Sequence, residues 1–212
     1  MCDEKFLIPF RDGINGTIQN VKWEQISCIN WPEEFPSKVD AKFRMCHNGD
    51  VLHIEYVVQE GSSLALSDKD NGPVWEDSCA EFFISFSNGR YYNLEANCIG
   101  TILLASRRSR TEDVEMAPDD ILKLITRRPS LERKTFQQTA LKEWNLCLDI
   151  PKEAFFKDKI TTFEGVVARM NLYKCADRLT VPHYLSWNPI TTLHPDFHRP
   201  EFFRDVLFDV CK

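Results

Sequence analysis

Apolar and polar residues alternate along much of this chain with a period of two, the spacing of a strand that turns one face to a core. Over residues 51–58, Leu52, Ile54, Tyr56 and Val58 share one face, while His53 and Glu55 take the other. Residues 144–150 repeat the pattern with Trp144, Leu146, Leu148 and Ile150 inward, and Pro151, which has no N–H for a ladder, ends the run. Residues 166–173 set Ala168, Met170 and Leu172 against Arg169, Asn171 and Tyr173. Helical spacing is confined to residues 118–125 and 152–156. No internal repeat or low-complexity linker divides the 212 residues. The pattern predicts an all-β chain: one antiparallel, jelly-roll-like β-sandwich domain over residues 1–212, with one or two short helices.

The segments 79–86 and 91–97 flank Asn88-Gly89, a turn signal. Ala80, Phe82, Ile84 and Phe86 share one face of the first; Tyr92, Leu94 and Ala96 share one face of the second. A two-residue turn pairs Ile84 with Asn93 and Phe82 with Glu95, mixing apolar with polar. A three-residue loop, Asn88-Gly89-Arg90, pairs Phe86 with Tyr92, Ile84 with Leu94 and Phe82 with Ala96. A one-residue slip inverts every side chain, so the three-residue loop is expected. Glu81 then lies opposite Asn97, Phe83 opposite Glu95, and Ser85 opposite Asn93. The other face carries a polar stripe of Glu81, Ser85, Asn93, Glu95 and Asn97 around Phe83, either a solvated outer face or a binding face.

Composition narrows the class. Hydrophobic residues at 43% and aromatic residues at 12% supply a core, which excludes disorder. Net charge is -6 with a pI near 5.4, and Arg107, Arg108 and Arg110 sit among Glu112, Asp113 and Glu115 in what reads as a solvated loop. No nucleic acid partner is expected. Eight cysteines occur without a Cys-x-x-Cys pair, which excludes the common zinc frameworks; no metal ligands are assigned. Several occupy strand-like runs (Cys79, Cys98, Cys147) as small buried hydrophobes, and free thiols suit a reducing compartment. No run is long enough to span a membrane, and the N-terminus has no apolar stretch of signal-peptide length. A cytoplasmic chain is expected as written; Cys2, directly after Met1, leaves a secreted or lipid-anchored form open.

Saccharides are held by aromatic rings against their C–H faces and by carboxyl, amide and guanidinium groups on their hydroxyls. Trp75 precedes the polar strand, and Trp187 lies in Pro182-His183-Tyr184-Leu185-Ser186-Trp187-Asn188-Pro189; both adjoin turn residues, whereas Trp23, Trp31 and Trp144 fit core packing. The segment Asn71-Gly72-Pro73-Val74-Trp75-Glu76-Asp77-Ser78-Cys79-Ala80-Glu81-Phe82-Phe83 resembles the W-x-D-x-x-x-E-x-F signature of family 9 carbohydrate-binding modules. Residues 91–101 resemble the strand that follows. Residues 171–187 and 195–203 resemble the closing strands of a bacterial subgroup of stand-alone family-9-like proteins.

The resemblance implies a β-sandwich and a slot in which two tryptophans, Trp75 and Trp187, clamp a sugar, often at a reducing end, with Glu81 bonding its hydroxyls. Asn93, Glu95 and Asn97 extend the site by their place in the stripe. The partner class is a mono-, oligo- or polysaccharide, and no catalytic residue or cofactor is assigned. Structural calcium, held by some family members, stays an open option with Asp68, Asp70, Asn71 and Asp77 as donors, although Cys79 stands where an EF-hand loop needs its bidentate Glu. Two rival readings are a glycoside hydrolase using Asp77, Glu81 and Glu95, and a haem- or metal-binding sandwich using His183, His194, His198 and Met170, with Pro195 unfavourable to a helix presenting the two later histidines.

Overall fold

The computed structural model describes residues 5–13, 18–86, 89–141 and 143–211. Residues 51–58 form the expected strand, which runs Val51–Gln59, because Leu52, Ile54, Tyr56 and Val58 all find the interior. Glu143–Pro151 pairs with it antiparallel, placing Leu146 beside Tyr56 and Leu148 beside Ile54. These two strands centre a sheet of five, flanked by Asp40–His47 and then Glu24–Gln25 on one side and by Thr126–Pro129 on the other.

A larger sheet packs against it. Its path runs Phe6–Ile8, Arg204–Phe208, Val167–Cys175, Cys79–Ser85, Tyr91–Asn97, Ile102–Arg107, Glu115–Met116, and Tyr184–Ser186 adds to Val167–Cys175. Pairing in this sheet is antiparallel except at Phe6–Ile8 with Arg204–Phe208. Between the sheets lies the main core, including Phe43, Tyr56, Phe82, Leu94, Trp144, Met170 and Leu172. Burying such a side chain contributes about 1.5–3 kcal/mol. Of the two predicted helices, one is an α-helix, Asp119–Leu124, with Asp119 and Asp120 favourably placed in its first turn; the other is a 3-10 turn, Lys152–Ala154. No helix among the described residues is long and apolar enough to cross a membrane.

The hairpin register differs from expectation by two positions. Ile84 faces Tyr92, Phe82 faces Leu94 and Ala80 faces Ala96, so the connection spans five residues, 86–90, instead of three. Ser85 Oγ donates to the Arg90 carbonyl (2.6 Å), and Phe86 leaves the ladder to pack edge-on against Phe155 (5.0 Å). Gly89 takes a left-handed φ of 71°, and Asn88 lies outside the described residues. A shift of two preserves side-chain parity, so the predicted faces stand while the predicted partners change.

The polar stripe is neither solvated nor bare. Residues 190–203 fold across the outer face of the larger sheet, and a second apolar cluster forms there from Trp31, Val74, Phe83, Tyr91, Tyr173, Ile190, Phe197 and Phe203. Phe83 belongs in the stripe because it anchors this layer, its ring edge-on to Tyr173 at 5.0 Å. At one end of the main core Lys174 is wholly buried; its Nζ lies 2.9 Å from Glu60 and 2.8 Å from His183 Nε2 and donates to the Cys175 carbonyl. Glu60 also accepts from Trp144 Nε1 and Ser63 Oγ, both on Oε1.

Candidate functional site

Strand pairing sets side chains abreast in rows across the outer face. One row runs Cys175, Cys79, Asn97; the next runs Tyr173, Glu81, Glu95, Leu103; a third runs Asn171, Phe83, Asn93, Ala105. Glu81 and Glu95 are therefore directly opposed, each only a few per cent exposed. Above them opens a cleft of about 790 Å³. Its floor includes Glu81, Glu95, Leu103, Arg107 and Cys175; its aromatic walls are Trp75, Tyr184, Phe197 and Phe35.

Trp75 reaches the rim through a local device. Pro73 fixes the entry to the turn Val74–Glu76, Val74 is fully buried beneath it, and Trp75 is left 38% exposed. Asp77 locks the turn from below. Its Oδ1 accepts from Leu66 N–H and its Oδ2 from Ser67 N–H and Asn97 Nδ2, all at 2.9 Å.

The floor is charged in unusual ways. Burial, followed by the nearby Cys175 and Glu95, pushes Glu81 well above the usual carboxylate range. Burial raises Glu95 to about 7, against the opposing pull of Asn93 and Arg107. Glu81 Oε1 accepts from Cys175 Sγ (3.0 Å), and Glu95 Oε1 accepts from Asn93 Nδ2 (2.8 Å). Glu95 Oε2 and Arg107 Nε are buried without a protein partner. His198, bonded through Nδ1 to the Tyr91 hydroxyl (3.0 Å), is lowered to about 3 by burial and by Arg107 and Arg110, so its ring stays neutral. A protonated carboxyl, a neutral imidazole and a guanidinium side by side offer both donors and acceptors to a neutral polyhydroxyl ligand.

Of the residues expected in the site, the structure brings Trp75, Glu81 and Glu95 to one cleft. Asn93 supports Glu95. Asn97 serves the scaffold: its Nδ2 donates to Asp77 and to the Ser67 carbonyl, and its Oδ1 accepts from Thr101 N–H. Trp187 sits on the opposite side of the sheet, in the main core, with its ring edge-on to Phe6 (4.9 Å) and Phe43 (5.5 Å) and with Arg204 over it (5.0 Å). The two tryptophans do not share a slot. Parity explains this: Trp187 follows Tyr184–Ser186 and faces inward, whereas Tyr184 of the same strand faces the cleft.

Arg107, Tyr184, Phe197 and Cys175 were not anticipated, and His198, named only for the haem or metal reading, lines this cleft instead. Arg107 ends the strand Ile102–Arg107 and is only 8% exposed, which corrects its expected place in a solvated loop. Parity carried into this third strand, with Leu103, Ala105 and Arg107 on one face, contains the signal.

Three of the four residues named as optional calcium donors have protein partners. Asp70 is held by Arg127 (2.7 and 2.9 Å) and accepts from Ile102 N–H, Asn71 Oδ1 accepts from Leu104 N–H, and Asp77 is engaged as described. Asp77 likewise does not line the cleft, so a hydrolytic trio with Glu81 and Glu95 is not assembled. The haem or metal set is dispersed: His183 joins Lys174 and Glu60, His198 lines the cleft, and Met170 is in the main core.

Comparison with known proteins gives a family model, carbohydrate-binding family 9, matching residues 15–208. No curated protein matches the chain. Among solved structures, a proposed carbohydrate-binding protein from Bacteroides uniformis is 33% identical, with 97% of each chain covered and a TM-score of 0.87. A family 9 module from Caldicellulosiruptor kristjanssonii in complex with glucose shares the fold at 11% identity, covering 99% of this chain and 97% of that one, with a TM-score of 0.63. The same organism's module in complex with cellotriose matches at 10% identity, covering 99% and 95%, with a TM-score of 0.64.

Proposed function

The chain belongs to carbohydrate-binding family 9, and on that premise we propose that the cleft beneath Trp75 binds a saccharide without transforming it. One observation carries this reading: an exposed tryptophan at the rim stands over a buried floor in which Glu95 Oε2 and Arg107 Nε lack protein partners. A pyranose stacked on Trp75 brings hydroxyls to that floor, where each satisfies a group whose burial is otherwise unfavourable. Tyr184 takes the part expected of Trp187 as the second aromatic wall. Glu81 and Glu95 act as hydrogen-bonding groups, and Asn93 holds Glu95 in place.

The family resemblance supports a reducing terminus as the element bound. Small sites of this kind bind with dissociation constants from about millimolar to micromolar, or roughly -4 to -8 kcal/mol. Calorimetry with glucose and cellotriose, after a glycan array, is the test. Binding of at least one saccharide is expected, with borohydride-reduced cellotriose weaker than cellotriose. An array and calorimetry without any saccharide bound would remove the reading and leave the fold as it stands.

A further inference from the structure

Cys79 and Cys175 are directly opposed on neighbouring strands, and Glu81, two residues beyond Cys79, projects from the same face. Cys175 Sγ lies 3.0 Å from Glu81 Oε1, and one ligand atom from each of the three lies within 4.8 Å of the others. Exposures are 0% for Cys79, 3% for Glu81 and 1% for Cys175. A tetrahedral zinc ion, with bonds of about 2.3 Å to sulfur and 2.0–2.2 Å to oxygen, spaces its ligand atoms roughly 3.5–3.8 Å apart. Closing the set on an ion therefore takes side-chain adjustments of only about 1 Å, on strands already fixed by their ladder.

We infer that Cys79, Cys175 and Glu81 form a binding site for a thiophilic divalent ion of the zinc type, with the fourth coordination position open to the cleft. Two sulfurs select such an ion over calcium or magnesium, and three protein ligands with an accessible fourth position match the open type of zinc site. Access comes through Glu81 and Cys175, which line the cleft, while Cys79 lies deeper. Glu95, abreast of Glu81 and with Oε2 unpartnered, is placed to accept from a water in the open position. Sequence spacing hides the set, since Cys175 lies 94 residues from Glu81.

Burial holds the Cys79 thiol up at about 12, and the hydrogen bond with Cys79, followed by burial, holds the Cys175 thiol well above its ordinary range. Binding releases these protons and tightens as pH rises. The inference does not rest on the saccharide reading.

Titration of the reduced full-length protein with Co²⁺ tests it. One equivalent is expected to bind with a thiolate-to-cobalt charge-transfer band that Zn²⁺ displaces. Cys79→Ser and Cys175→Ser each lose the band, Glu81→Gln binds more weakly, and Cys147→Ser, altered at a half-buried thiol on the other sheet, behaves as wild type. Circular dichroism establishes that each variant is folded. The site is overturned if reduced, folded wild type takes up no stoichiometric Co²⁺, if the band survives in both cysteine variants, or if Glu81→Gln binds as tightly as wild type.

Discussion

Glu81 and Glu95 stand at directly opposed positions of neighbouring strands, both buried, the first accepting a thiol and the second an amide. Two carboxyls so placed cannot both ionise cheaply, and burial raises both. The folded protein retains protons that an unfolded glutamic acid, at about 4.3, has lost. That contribution is complete below about pH 4.3 and disappears as pH rises through the folded value near 7. Urea denaturation of wild type and Glu95→Gln should show wild type losing ground relative to the variant between about pH 5 and 7, at up to about 1.4 kcal/mol per pH unit. A pH-independent difference would contradict the protonated floor.

The two tryptophans separate ligand binding from packing. Trp75→Ala removes an exposed ring and is expected to abolish saccharide binding in calorimetry while changing stability by about 1 kcal/mol or less. Trp187→Ala empties a core position and is expected to cost about 3–5 kcal/mol in chemical denaturation. A folded Trp187→Ala protein of wild-type stability that binds no saccharide would reverse these assignments.

Lys174 and Glu60 depend on each other. Lys174→Met leaves the Glu60 carboxylate buried without its cation and is expected to cost about 3–5 kcal/mol. Adding Glu60→Leu should recover part of that loss, and a double-mutant cycle in urea measures the coupling. Simple additivity would mean the pair is energetically independent.

Asp77→Ala deprives two backbone N–H groups and the Asn97 amide of their acceptor. It is expected to destabilise the protein by at least about 2 kcal/mol. Saccharide affinity should fall with it, because the turn that presents Trp75 loses its anchor. An Asp77→Ala protein of unchanged stability would move this residue from scaffold to ligand contact.

Much of the fold was legible because parity is a local property. Leu52, Ile54, Tyr56 and Val58 declare their face whatever they pair with, and so do Phe82, Leu94 and Met170. Partners are less local: Ser85 and Phe86 leave the ladder for contacts with Arg90 and Phe155, which no alternation encodes. In the candidate cleft, Trp75 and Glu81 came from one short motif, and Glu95 from the neighbouring strand. Trp187 was misplaced because a turn-flanked tryptophan has the same sequence context on either side of a sheet. Cys175, Tyr184 and Phe197 were hidden because their nearness to Glu81 depends on strand closure and on a covering loop.

That closure bears on the order of folding. Glu81, Glu95 and Leu103 come from three consecutive strands, a meander with short connections that forms early at little loop-closure cost. Tyr173 and Cys175 arrive on the strand Val167–Cys175, which docks against Cys79–Ser85 from far along the chain. Four of the five floor residues, Glu81, Glu95, Leu103 and Arg107, thus come from one local meander, and the fifth, Cys175, joins them only through a long-range pairing. A ligand held in this cleft would therefore report on whether the strand Val167–Cys175 has docked.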